Sequence, residues 1–251
     1  MSKTLTITSK SLLRALIFFG STTFILCYVI TGLAGGIYWP YIYLSSALNY
    51  PPATTVGAFA LSISCAIFPF VSLIRYNQIA GKSEEKNFVR ANEVSFVCSV
   101  VGMVGAHGVA SCPTSVNLVF HLFSAFLFFS SGGLYACLQV YLDKKTKADT
   151  MASKIRLVNM FVGIGTLFSM GICGLAILIK TGFGQTAEFE TEPTLMGTNA
   201  IFELLFAATL MIVYSTFWSE MEGFEIIIST GRRSGEVMLL SEVDVVAPNV
   251  M

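Results

Sequence analysis

Residues 116–142, VNLVFHLFSAFLFFSSGGLYACLQVYL, form one apolar run, longer than the roughly 20 residues a helix needs to cross a bilayer core. The run predicts a transmembrane helix. At about 100° per residue, His121, Ser124, Phe128, Gly132, Tyr135 and Gln139 fall within about 60° of one direction, while Leu118, Phe123, Phe126 and Leu127 spread over the remaining circumference. His121 and Gln139 stand about five turns apart, about 27 Å at 1.5 Å per residue. The stripe therefore runs nearly from one membrane surface to the other and must face protein or water. Two readings stand. Small residues let helices approach, and Ser, Tyr and Gln hydrogen-bond across them, so the stripe can be a packing seam. Intramembrane ionisable groups are also often functional, so the same face can hold a ligand or proton.

Hydrophobic residues make up 54% of the chain and charged residues 12%, with a mean hydropathy of +0.72. One soluble core of this size cannot hide so much apolar surface. The predicted fold is an all-α, polytopic membrane protein of six transmembrane helices, at about 12–35, 57–76, 92–112, 116–142, 157–179 and 198–218. A polar tail follows at 219–251. The first run is too long for the core of a cleaved signal peptide and is expected to remain as a helix. Pro40, Pro51 and Pro52, among Trp39, Tyr41, Tyr43 and Tyr50, mark an interfacial loop after it. Pro69 is expected to kink the second helix. Gly102, Gly105 and Gly108 on the third helix, and Gly163, Gly165, Gly171 and Gly174 on the fifth, are expected contact points.

Of the 15 Lys and Arg residues, 14 fall in the amino terminus, the second and fourth loops and the tail, leaving Lys180 on the other side. The positive-inside rule then predicts that both termini are cytosolic. Glu188, Glu190 and Glu192 would lie in a loop facing the lumen or exterior.

The six cysteines, Cys27, Cys65, Cys98, Cys112, Cys137 and Cys173, lie in or beside apolar runs without metal-ligand spacing and read as small hydrophobes. Zinc hydrolysis needs at least three well-placed ligands, whereas the chain has two histidines. Ser130-Ser131-Gly132-Gly133 lies mid-helix, away from His121, and makes no nucleophile elbow. No catalytic residue, metal or cofactor is expected, and the chain is read as non-enzymatic. His107, His121 and Glu203 form the candidate intramembrane polar cluster, all in the half away from the termini. A carboxylate in lipid needs a partner, and His121 is the expected partner of Glu203. Leu239-Leu240 with Glu236 loosely matches an acidic dileucine sorting signal, and Ser234 after Arg232-Arg233 a phosphorylation site.

Several motifs, in order, resemble the six-span damage-regulated autophagy modulator (DRAM) family, within the Frag/DRAM/Sfk grouping that includes the TMEM150 proteins. They are Tyr28-Val29-Ile30-Thr31, Pro40-Tyr41-Ile42 followed by Pro51-Pro52, Arg75-Tyr76, Asn92, His121, Gly133, Tyr135, Leu138-Gln139, Ala200-Ile201-Phe202-Glu203, Phe224 and Ile228-Ser229-Thr230. Where the family has an Asp in its first loop and a His-Asp pair on helix four, this chain reads YLSSALNYPP and His121-Leu122. Its sixth helix has Glu203-Leu204 in place of the family's Glu-Trp. The resemblance implies a lysosomal or other endomembrane protein that promotes autophagy or apoptosis. From relatives in the wider grouping it implies, as an alternative, a lipid-handling protein at the plasma membrane or Golgi. That alternative covers support of phosphatidylinositol 4-kinase and remodelling of GPI-anchored lipids. The expected partners are membrane lipids and cytosolic or membrane proteins, with no nucleic acid.

Overall fold

Polar caps and turns divide the apolar chain into six helices that are each long and apolar enough to cross a membrane. The structure is a computed structural model describing residues 3–34, 43–182, 193–230 and 242–246. Helix α1, Ser9–Leu33, starts where the Thr8 hydroxyl accepts the Ser11 N–H. After a single 3-10 turn at Ser46–Leu48, α2 spans Ala53–Ile79 and runs on through Pro69 as one helix. Helix α3 is Lys86–Ser111. Helix α4, Leu118–Lys145, is capped by the Asn117 side chain, which accepts the Phe120 N–H at 3.0 Å. Helix α5, Met151–Thr181, opens on a capping box between Thr150 and Ser153, and α6 is Pro193–Ser215. The expectations at Trp39, Pro40, Tyr41, Glu188 to Glu192, Ser234, Glu236 and Leu239-Leu240 lie outside the described residues.

The helices outrun the hydropathy windows. Helix α3 begins at Lys86 rather than 92, and α5 at Met151 rather than 157. Lipid thickness sets the apolar window, whereas Lys, Arg and Glu are good helix formers that carry a helix on into the interface.

Sequence neighbours pack side by side, and α6 also touches α1 and α4. Half of the α6 window, 50%, is buried against 11% in α5, so α6 is the inner helix and α5 a peripheral one. Phe161 and Phe168 of α5 point outward, 64% and 70% exposed, as expected of side chains that meet lipid. Helices α3 and α4 approach backbone to backbone. A Cβ on Gly105 would lie 2.5 Å from the Phe128 backbone nitrogen and 2.7 Å from the Ser124 carbonyl oxygen. The third-helix glycines thus act as expected, but three on α5 do not. Gly165, Gly171 and Gly174 have nothing within 4 Å, because they lie on the outward side of the peripheral helix.

The ends of the chain are tied together. Strand β1, Lys3–Thr8, pairs antiparallel with β2, Glu225–Thr230, from Lys3 opposite Thr230 to Thr8 opposite Glu225. Strand β3, Glu242–Val246, pairs with the other edge of β2. Parts of the polar tail are therefore ordered as strands, and their alternating or β-branched runs, EIIIST and EVDVV, suit that, as does KTLTIT at the amino terminus. Ile226 is buried in one apolar cluster with Leu13 of α1, Val71 of α2, and Val213 and Phe217. The sheet is thus seated on the helices, with both ends of the helical unit on one face, here termed the terminal face.

Candidate functional site

At the terminal face, Arg75 near the end of α2, Asp143 near the end of α4, Arg156 near the start of α5 and Glu220 just past α6 meet in one buried ion cluster. Arg156 grips Asp143 with a fork, Nε to Oδ2 at 2.7 Å and Nη2 to Oδ1 at 3.0 Å. Its Nη2 also reaches Glu220 Oε1 at 2.6 Å, and its Nη1 donates to the Thr216 hydroxyl at 2.9 Å. Arg75 donates from Nη1 to Glu220 Oε2 at 2.6 Å and to Gln78 Oε1 at 2.7 Å. Its Nε donates to Gln139 Oε1 at 2.9 Å. Gln139 passes the chain on by donating to the Ser95 hydroxyl of α3 at 2.8 Å. The Phe217 ring lies 4.7 Å from the Arg75 guanidinium and 5.4 Å from that of Arg156, within cation–π range of both.

Both arginine side chains are nearly sealed, 4% and 1% exposed. Such charges are costly to bury unless each is paired and its hydrogen bonds are satisfied. Two guanidinium groups against two carboxylates meet that condition. Burial alone would raise the Glu220 carboxyl, but Arg75 and Arg156 outweigh it and hold the group below its ordinary range. Partial desolvation beside the cluster, and after it the nearby Arg75 charge, push the ammonium of the otherwise exposed Lys82 down.

Beside the cluster lies a cavity of about 200 Å³, lined among others by Arg75, Gln78, Lys82, Asp143, Thr146 and Glu220. It sits where four segments meet: α2 with the turn after it, the end of α4, the α4–α5 connection and the segment past α6.

The α4 stripe is a packing seam along its length. Ser124 lies where a Cβ on Gly108 would overlap it, and a Cβ on Gly132 would come 2.9 Å from Leu210 of α6. Tyr135 stacks on Tyr214 with centroids 5.4 Å apart, and Gln139 enters the ion cluster.

The expected pairing of His121 with Glu203 is corrected by the structure. His121 Nδ1 donates to the Cys112 carbonyl at 2.8 Å, at the end of α3. Glu203 accepts the Leu44 N–H at 3.1 Å, in the segment between α1 and α2. His107 lies between the Ser62 and Ser111 hydroxyls, at 3.3 and 3.4 Å. The three share the half away from the termini but face different neighbours: His121 looks toward α3, Glu203 toward the first connection. Carbonyls and N–H groups left over at helix ends can satisfy such side chains without an ion pair. One turn from Glu203, Asn199 donates to the Tyr43 hydroxyl at 3.1 Å.

Among the described residues, no group of three or more His, Cys, Asp or Glu side chains is placed to hold a metal ion, and the six cysteines are free. The sequence reading passed over Asp143, Arg156 and Glu220, which look like ordinary interfacial charges. Arg75 stands out in the sequence as a motif residue, and Gln139 both as a motif residue and as the end of the α4 stripe. The available signal was an arginine or carboxylate just inside the ends of α2, α4 and α5 and one just past α6, all on one side.

A family model described as the Frag1/DRAM/Sfk1/Cwh43P N-terminal domain matches residues 8–224. No curated protein and no solved structure matches the chain.

Proposed function

Because the chain belongs to the Frag1/DRAM/Sfk1/Cwh43P family, and because its buried charge is concentrated at the face carrying both ends, we propose that it is a non-enzymatic membrane regulator. In this reading it acts at lysosomal or endosomal membranes in autophagy or cell death, through protein partners that dock on the terminal face. The single observation behind the reading is the Arg75–Asp143–Arg156–Glu220 cluster. It joins α2, α4, α5 and the segment past α6 at the surface a partner would contact, so a partner bound there could bias how these helices sit against one another. The basic asymmetry of the loops supports a cytosolic orientation of that face.

Endogenous tagging combined with proximity labelling from the carboxyl terminus tests the reading. The expected outcome is a lysosomal or late-endosomal signal with labelled cytosolic proteins of the autophagy pathway. A Golgi or endoplasmic-reticulum signal would instead favour the lipid-handling alternative.

A further inference from the structure

The cavity beside the ion cluster has an unequal supply of donors and acceptors. All four carboxylate oxygens of Asp143 and Glu220 are engaged by guanidinium groups. Neither carboxylate stands as an unpaired anion that would call for a cationic ligand. Two cationic donors on the cavity wall are less well served. Among the described residues Arg75 Nη2 has only Asp143 Oδ1, at 3.4 Å, beyond the roughly 2.7–3.2 Å of a good N–H···O bond. Lys82 takes no ion pair within 4 Å among the described residues. It follows Gly81, whose φ of +80°, a conformation glycine adopts without strain, turns the chain between α2 and α3. Around the cavity three cations, Arg75, Lys82 and Arg156 behind it, stand against two carboxylates.

Size narrows the ligand further. A cavity of about 200 Å³ is below the roughly 300–1,000 Å³ of pockets for drug-sized molecules, so it suits a small anionic group. Its position at the ends of α2 and α4 places it at headgroup depth. We propose that this cavity binds a terminal phosphate, held by Lys82 Nζ and Arg75 Nη2, as the monoester headgroup of a lipid or as free phosphate, and not the diester phosphate of an ordinary phospholipid. The inference goes beyond the regulatory reading and stands on the cavity alone.

The test uses the full chain in phosphatidylcholine nanodiscs, with amine-reactive labelling read by mass spectrometry. Lys82 labelling is compared with that of the exposed Lys147 under three conditions: added inorganic phosphate at constant ionic strength, added phosphatidic acid, and added phosphatidylglycerol. Selective protection of Lys82 by phosphatidic acid assigns a headgroup, and selective protection by inorganic phosphate assigns the free anion. Either supports the site. Equal protection of Lys82 and Lys147, equal protection by phosphatidylglycerol, or no protection overturns it. Lys82 is exposed, so Lys82→Gln is expected to fold with an unchanged melting temperature. It should raise the concentration of the protecting ligand needed for half-maximal thermal stabilisation by about tenfold, the loss of one charge-assisted contact. Unchanged ligand dependence in Lys82→Gln would also overturn the proposal.

Discussion

Arg156 illustrates how much one residue can hold when it is sealed from water. Replacement by Met leaves Asp143 and Glu220 buried with three of their five guanidinium contacts gone, and losing one member of a buried pair costs about 3–5 kcal/mol. Thermal unfolding in detergent should show this for Arg156→Met. Asp143→Asn should cost much less on top of it than alone, because the two substitutions remove one interaction. Glu220 carries the pH dependence. Its carboxyl is held below the ordinary value of about 4.3, so its contribution is fully present above that value and is lost as the pH falls through its own lower one. Wild-type melting temperature should drop on acidification below about pH 4, and Glu220→Gln should lie lower at neutral pH with a flatter acid limb. At the far end, His121→Gln and Glu203→Gln should add in a double-mutant cycle, because the two side chains have different partners.

Between elements, glycine separates two kinds of helix surface. Gly105 meets backbone atoms of α4 at 2.5 and 2.7 Å. Backbone cannot swing aside as a side-chain tip can, so Gly105→Ala should cost about 1–3 kcal/mol by overpacking. Gly171 has nothing within 4 Å, and Ala there should be neutral or stabilising by up to about 1 kcal/mol through helix propensity. Comparing the two melting temperatures checks both statements. This contrast also marks how far the sequence could be read. The six helices were legible because lipid imposes a length and a polarity that composition records directly. The α4 stripe was legible as one face, since 3.6-residue periodicity is local. The partners of that face were not. Which glycines meet a neighbour depends on which helix is central, and nothing local distinguishes Gly105 from Gly171. The ion cluster was hidden for a related reason. Arg75, Asp143, Arg156 and Glu220 lie far apart in the chain, each at a helix end where a charge is ordinary, and only the packing of four segments brings them together. His121 and Glu203 misled in the opposite direction. Shared depth suggested contact, but rotation about the helix axis sends them to different neighbours.

For the whole molecule, β1–β2 pairing places both terminal strands on one face, and the charge asymmetry predicts that this face is cytosolic. Single-cysteine variants at Lys86 and Lys147 in a cysteine-free background should resist membrane-impermeant reagents in intact cells, while one at Lys180 reacts. External labelling at Lys86 would reverse the orientation. The sheet also has a bearing on the order of events during synthesis. Ser9 and Met221, joined by a hydrogen bond at the base of the sheet, are 212 residues apart. At about 5–20 residues per second of translation, the first strand waits roughly 10–40 s for its partner. Its pairing edge stays open while all six helices emerge and insert, and it can close only on a chain whose last helix has arrived. A truncated or stalled product would keep that edge bare, so completed insertion and an abandoned intermediate would look different to any quality-control factor surveying the membrane surface.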